Sequence, residues 1–84
     1  MKYSLITFRS VTPAQQAEGL LRKEGIVCSL QRTPKWMEQQ GCGYSLRVLF
    51  NQSQRCAELL KRHEIRYRKV YLLRDNGIVE EITL

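Results

Sequence analysis

The 84-residue chain predicts an α+β fold, a ferredoxin-like βαββαβ two-layer sandwich whose antiparallel sheet carries a small β extension at its C-terminus. Three observations predict it. Runs of β-forming residues and two runs of helical period follow one another in the order β-α-β-β-α-β, the split βαβ arrangement. Asn76-Gly77 is a hairpin signal, and the residues after it can pair back as a short last strand. No repeat, linker or low-complexity segment interrupts the pattern, and the length suits a single domain over residues 1–84.

The elements follow in order. Tyr3, Ile6, Thr7 and Phe8 make the first segment a buried strand. Thr12 is the expected N-cap of the first helix, with Pro13 at the first helical position and Gln15 completing a capping box. Ala14, Ala17, Leu20 and Leu21 form its apolar face. Gly25 stops it in a left-handed conformation, with Ile26 as the hydrophobic contact that follows. Ile26, Cys28 and Leu30 alternate along a second strand that Pro34 ends. The segment from Thr33 to Gly41 has no usable period. Tyr44, Leu46, Val48 and Phe50 alternate with Ser45, Arg47 and Leu49 in a third strand. Asn51 is the expected cap of a second helix, with Gln54 at its capping-box position and an apolar face of Cys56, Leu59, Leu60 and His63. Ile65 to Leu73 is the fourth strand, and Ile78 to Leu84 the extension.

Composition limits what the chain does. So short a domain has little room for a deep cleft beside its core, which favours carrying, binding or regulating over catalysis on large substrates. The N-terminus lacks a signal-peptide pattern and no stretch approaches membrane-spanning length, so a cytoplasmic protein with no membrane contact is expected. The odd cysteine count (Cys28, Cys42, Cys56) argues against a disulfide framework. The cysteines also lack the paired spacing of a zinc site, and no cofactor motif is present. The formal net charge of +6 suits an acidic partner, an anionic ligand or nucleic acid, and equally plain solubility. Nucleic acid is disfavoured, because the third strand lacks the aromatic pattern of an RNA-recognition module.

The expected topology gathers Arg9, Ser10, Thr12, Arg32, Thr33, Lys35 and the tripeptide Gly41-Cys42-Gly43 at one edge of the sheet. Two glycines let the backbone beside Cys42 take unusual angles and let another molecule approach closely. The N-terminus of the first helix and the basic residues lower a thiol pKa and favour the nucleophilic thiolate. A turn cysteine with no role is the simpler alternative. Cys28 and Cys56 fall on apolar faces and read as buried small hydrophobes. His63 reads as a helix-end residue complementing the dipole. Trp36 and Met37 either cap the sheet end or form a docking patch beside the thiol.

Several of these residues carry a family resemblance. Tyr3-x-Leu5-Ile6-Thr7-Phe8, Glu18-x-x-Leu21, Ile26 with Leu30, Thr33-Pro34-Lys35, and Cys42-Gly43 before an apolar strand resemble the sulfur/selenium (Se/S) carrier protein-like family of small bacterial domains. The resemblance covers nearly the whole chain. It implies a carrier rather than a self-contained enzyme, holding sulfur or selenium on Cys42 as a persulfide-type adduct between donor and acceptor proteins. Gly41, Gly43, Thr33, Pro34, Lys35, Arg9 and Thr12 would support that thiol. Arginine is the family's more usual residue where Lys35 stands, and lysine lacks the bidentate fork. The rival expectation is a non-catalytic ligand-binding or regulatory module, including a homodimer paired through a sheet edge, with Cys42 incidental.

Overall fold

Residues 2–33, 43–74 and 79–83 are described by the computed structural model. They form β1 (Tyr3–Phe8), α1 (Val11–Lys23), β2 (Cys28–Arg32), β3 (Tyr44–Leu49), a 3-10 turn (Phe50–Gln52), α2 (Ser53–Arg62), β4 (Val70–Leu73) and β5 (Val79–Ile82). The five strands make one antiparallel sheet in the order β2-β3-β1-β4-β5, so β2 and β5 are its edges. β1 and β2, joined through α1, run parallel with β3 between them. The protein is a small α+β fold of two helices on a five-stranded sheet.

Both helices pack on one face of that sheet. Ile6 and Phe8 of β1, Cys28 of β2, Leu46 and Val48 of β3 and Val70 of β4 form a single core with Ala14, Ala17 and Leu21 of α1 and Cys56, Leu59 and Leu60 of α2. The expected apolar stripes of both helices thus face the sheet. A hydroxyl contact, Ser4 Oγ to Ser53 Oγ at 2.6 Å, ties the first turn of α2 to β1 inside this layer. The opposite face receives the alternate residues, among them Tyr3, Leu5 and Thr7 of β1 and Ser45, Arg47 and Leu49 of β3. There the Arg47 guanidinium lies 3.9 Å from the centre of the Tyr3 ring.

Several boundaries differ from expectation. α1 begins at Val11, with Ser10 as its extended N-cap (φ −146°, ψ 172°) and Thr12 already in the first turn. Ser10 is a good cap type, although its hydroxyl makes no cap bond. Pro13 is tolerated in that turn because its missing N–H would have no partner inside the helix. Phe50 leaves the ladder in the 3-10 turn and is 38% exposed. Gln52, not Asn51, is the N-cap of α2, and Gln54 Nε2 donates to Glu58 Oε1 at 3.3 Å instead of closing a capping box. His63 is exposed at the C-cap of α2 and lies off its buried face.

β4 is shorter than expected because of a local bulge. The Thr7 N–H donates to the Lys69 carbonyl at 2.8 Å, while the Arg68 N–H reaches the Thr7 carbonyl at 2.7 Å. Thr7 Oγ1 takes the place of the next ladder acceptor, receiving the Lys69 N–H at 3.0 Å. Two residues therefore oppose one, the pattern of a β-bulge. β5 pairs with β4 as the expected extension, and the Asn76-Gly77 turn lies outside the described residues.

Candidate functional site

The ladders bring three chain ends together. Phe8 at the end of β1 and Arg32 at the end of β2 are both register partners of Tyr44, the first residue of β3. One step further out the Thr33 N–H donates to the Gly43 carbonyl at 3.0 Å, continuing the β2–β3 register. Arg9 and the N-cap Ser10 follow β1 at the same end. Of the expected site residues, Arg9, Thr12, Thr33 and Gly43 are thus placed at one end of the sheet and the start of α1. Pro34, Lys35, Gly41 and Cys42 lie outside the described residues, as do Trp36 and Met37.

This end is basic. Arg9, Arg32 and Arg68 are exposed around it, and Lys69 beside the bulge pairs with Glu81 at 3.4 Å. The Arg32 guanidinium sits 5.8 Å from the Tyr44 ring centre, which helps to hold it at the strand end. The N-terminal amides of α1 add partial positive charge.

Sequence reasoning placed Thr33 at this end but did not foresee that its hydroxyl and that of Ser45 are buried. Thr33 is 6% exposed and Ser45 is fully buried, and neither hydroxyl has a hydrogen-bond partner among the described residues. Alternation put Ser45 on the outward set of its strand, where a serine needs no partner. Its burial carries no signal in composition or spacing.

The two described cysteines belong to the core. Cys28 is 5% exposed, and its Sγ lies 4.0 Å from the Glu18 carbonyl oxygen. Burial pushes its thiol above the ordinary value, against the opposing pull of the Arg22 guanidinium. Burial, reinforced by the neighbouring Cys28, pushes the Cys56 thiol up to about 11. Both stay protonated at neutral pH and are poor nucleophiles. Among the described residues no three His, Cys, Asp or Glu side chains converge as metal ligands, and no helix is long and apolar enough to cross a membrane.

Comparison with curated proteins and with solved structures returned no match. A family model does match, over residues 2–72 of the 84. That span takes in both helices, β1 to β3, all but the last residue of β4, and the Gly43 end of the sheet. The chain belongs to the family described as "Putative Se/S carrier protein-like".

Proposed function

We propose that the protein carries sulfur or selenium as a persulfide-type adduct on Cys42, passing it between donor and acceptor proteins in the bacterial cytoplasm. The observation that carries this is the state of the other thiols. Cys28 and Cys56 are sealed in the core with raised pKa values, which leaves Cys42 as the thiol suited to exchange. Cys42 directly precedes Gly43, which emerges at the basic end of the sheet. A reducing compartment suits a free thiol of this kind.

The chemistry needs no net oxidation. The Cys42 thiolate attacks the outer sulfur of a donor persulfide, R–S–SH. A new S–S bond forms between Cys42 and the outer sulfur, the donor's own S–S bond breaks, and R–S⁻ departs while the proton stays on the transferred sulfur. An acceptor thiolate reverses the step, with the Cys42 thiolate as leaving group. Gly41 and Gly43 leave room for the partner's sulfur, while Arg9, Lys35 and the amides of α1 favour the anion. Thr33 and Pro34 set the path of the chain, and Thr12 lies in the first turn of α1. The strand order supports a ferredoxin-like assignment, with β2-β3-β1-β4 forming the split βαβ core and β5 added at the edge.

Incubation with cysteine persulfide, followed by peptide mass spectrometry, tests the proposal. The Cys42 peptide should gain one sulfur atom, and the Cys28 and Cys56 peptides should not. Equal sulfur uptake by a Cys42→Ser protein would overturn it.

A further inference from the structure

Between α2 and β4, residues 65–69 belong to no helix or strand, yet they are held at both ends. The Ile65 N–H donates to the Leu60 carbonyl at 2.9 Å, closing the end of α2. The Arg68 N–H donates to the Thr7 carbonyl at 2.7 Å, and the Lys69 N–H donates to Thr7 Oγ1 at 3.0 Å. Exposure alternates along the segment as it does along a strand. Ile65 and Tyr67 are half-buried and pack on the core, whereas Arg66 and Arg68 are exposed. β1 ends at Phe8, one residue past Thr7, so it offers Arg66 and Tyr67 no ladder partner. Among the described residues, the peptide groups of Arg66 and Tyr67 enter no backbone hydrogen bond.

The side chains around this stretch are of two kinds. A cavity of about 810 Å³ opens beside it, lined among the described residues by Lys61, Glu64, Ile65, Arg66 and Tyr67. Ile65 and Tyr67 give that lining an apolar part, and Lys61 and Arg66 a cationic one. Glu64 is its one carboxylate among the described residues, and the exposed Arg62 and Arg68 flank it in the chain. Four other cations, Arg22, Arg55, Lys69 and Arg74, are each held by a glutamate. Arg66 is in no ion pair among the described residues, so its charge is available to a partner.

We infer that residues 65–67 dock an acidic, extended segment of a partner protein. The segment adds as a short strand, exchanging backbone hydrogen bonds with Arg66 and Tyr67. It sets an apolar side chain against Ile65 and Tyr67 and its carboxylates beside Lys61 and Arg66. Unpaired peptide groups on a strand-like stretch are a template for such addition. The charge complementarity selects an acidic segment and disfavours a basic one. A small anion would use the cations alone, and only a polypeptide uses the cations, the apolar lining and the peptide groups together. Because the stretch is pinned at Ile65 and again at Arg68, docking orders little that is not already ordered. The inference is independent of Cys42 and stands or falls apart from the carrier reading.

The test uses the full chain and fluorescence anisotropy of a labelled peptide of alternating glutamate and valine. The same peptide with N-methylated valines keeps the charge and loses the backbone donors. An oligouridylate of equal charge and a lysine-valine peptide complete the set of probes. The protein variants are Arg66→Glu and Lys23→Glu, which change net charge equally. Lys23 is the last residue of α1, at the opposite end of the sheet. Circular dichroism checks that each variant is folded. The glutamate-valine peptide should bind, more weakly as salt rises, and the lysine-valine peptide should not. Arg66→Glu should weaken binding about tenfold, the scale of a lost charge-assisted contact turned repulsive, while Lys23→Glu should change it less than twofold. N-methylation should also weaken binding about tenfold, the scale of lost backbone pairing. Equal losses in the two charge variants would overturn the site, because the attraction would be to net charge alone. Undiminished binding of the N-methylated peptide would overturn the strand pairing. An oligouridylate that binds more tightly than the peptide, and loses its binding in Arg66→Glu, would assign the surface to nucleic acid and overturn the inference, as would a glutamate-valine peptide that does not bind.

Discussion

Each helix ends by turning through one residue of positive φ, Gly25 at 80° after α1 and Glu64 at 58° after α2. The closures match bond for bond. Ile26 N–H reaches the Leu21 carbonyl at 2.9 Å and Gly25 N–H the Arg22 carbonyl at 3.0 Å. Ile65 N–H reaches Leu60 at 2.9 Å and Glu64 N–H reaches Lys61 at 3.1 Å. Both are Schellman caps, followed by an isoleucine that packs on the core. The first was legible because glycine announces the left-handed position; the second was not, because glutamate rarely occupies it. A side chain there costs about 1 kcal/mol. Glu64→Gly should therefore raise stability by about 1 kcal/mol, and Gly25→Ala should lower it by a similar amount. Nothing lies within 4 Å of a Cβ placed on Gly25, so the second effect is backbone strain alone. Urea denaturation checks both. An unchanged midpoint for Glu64→Gly would mean that the αL strain is already relieved by other contacts.

At the scale of elements, alternation and helical period located the buried thiols, one on β2 and one on α2, but not the degree to which burial holds them neutral. The folded-state values of both thiols lie above those of the unfolded chain, mainly through burial. The sign follows directly. Their contribution to stability is complete below the unfolded thiol value and is lost as pH rises, for Cys56 between about 9 and about 11. Cys56→Ala should lower stability at neutral pH by about 1–2 kcal/mol through lost packing. It should also show a shallower fall above pH 9 than the parent. Urea midpoints across this range test it, since lysines and tyrosines are common to both proteins and cancel in the difference. Parallel curves would show that Cys56 does not titrate against folding. The same alternation that found the thiols hid Ser45 and the Thr7 bulge. A period-2 pattern reports which face a residue takes, and burial on that face depends on what the rest of the chain lays over it.

For the whole molecule, the order of elements was legible because the turn and cap residues punctuate the chain, while the lateral order of strands was a consequence of pairing that no local pattern encodes. The family match stops at residue 72, within β4, so β5 lies beyond it. Among the described residues β5 pairs with β4 alone, and its links to the rest include a partly buried Ile82 and two exposed ion pairs, Lys69–Glu81 at 3.4 Å and Arg74–Glu80 at 3.1 Å. Exposed pairs of this kind contribute about 0–1 kcal/mol each, and part-burial of an isoleucine about 1–2 kcal/mol. Both helices pack on the core shared by β2, β3, β1 and β4. A chain ending at Arg74 should therefore keep its fold, lose about 2 kcal/mol of stability, and show faster amide exchange along Val70–Leu73, the newly exposed edge. Sulfur uptake at Cys42 should be unchanged, because Gly43 precedes β3, which pairs with β1 and β2 and not with the β4–β5 edge. Circular dichroism, hydrogen exchange and persulfide loading read these separately. An unfolded truncation would make β5 part of the core sheet, and a folded one that no longer loads would tie the last strand to the carrier end.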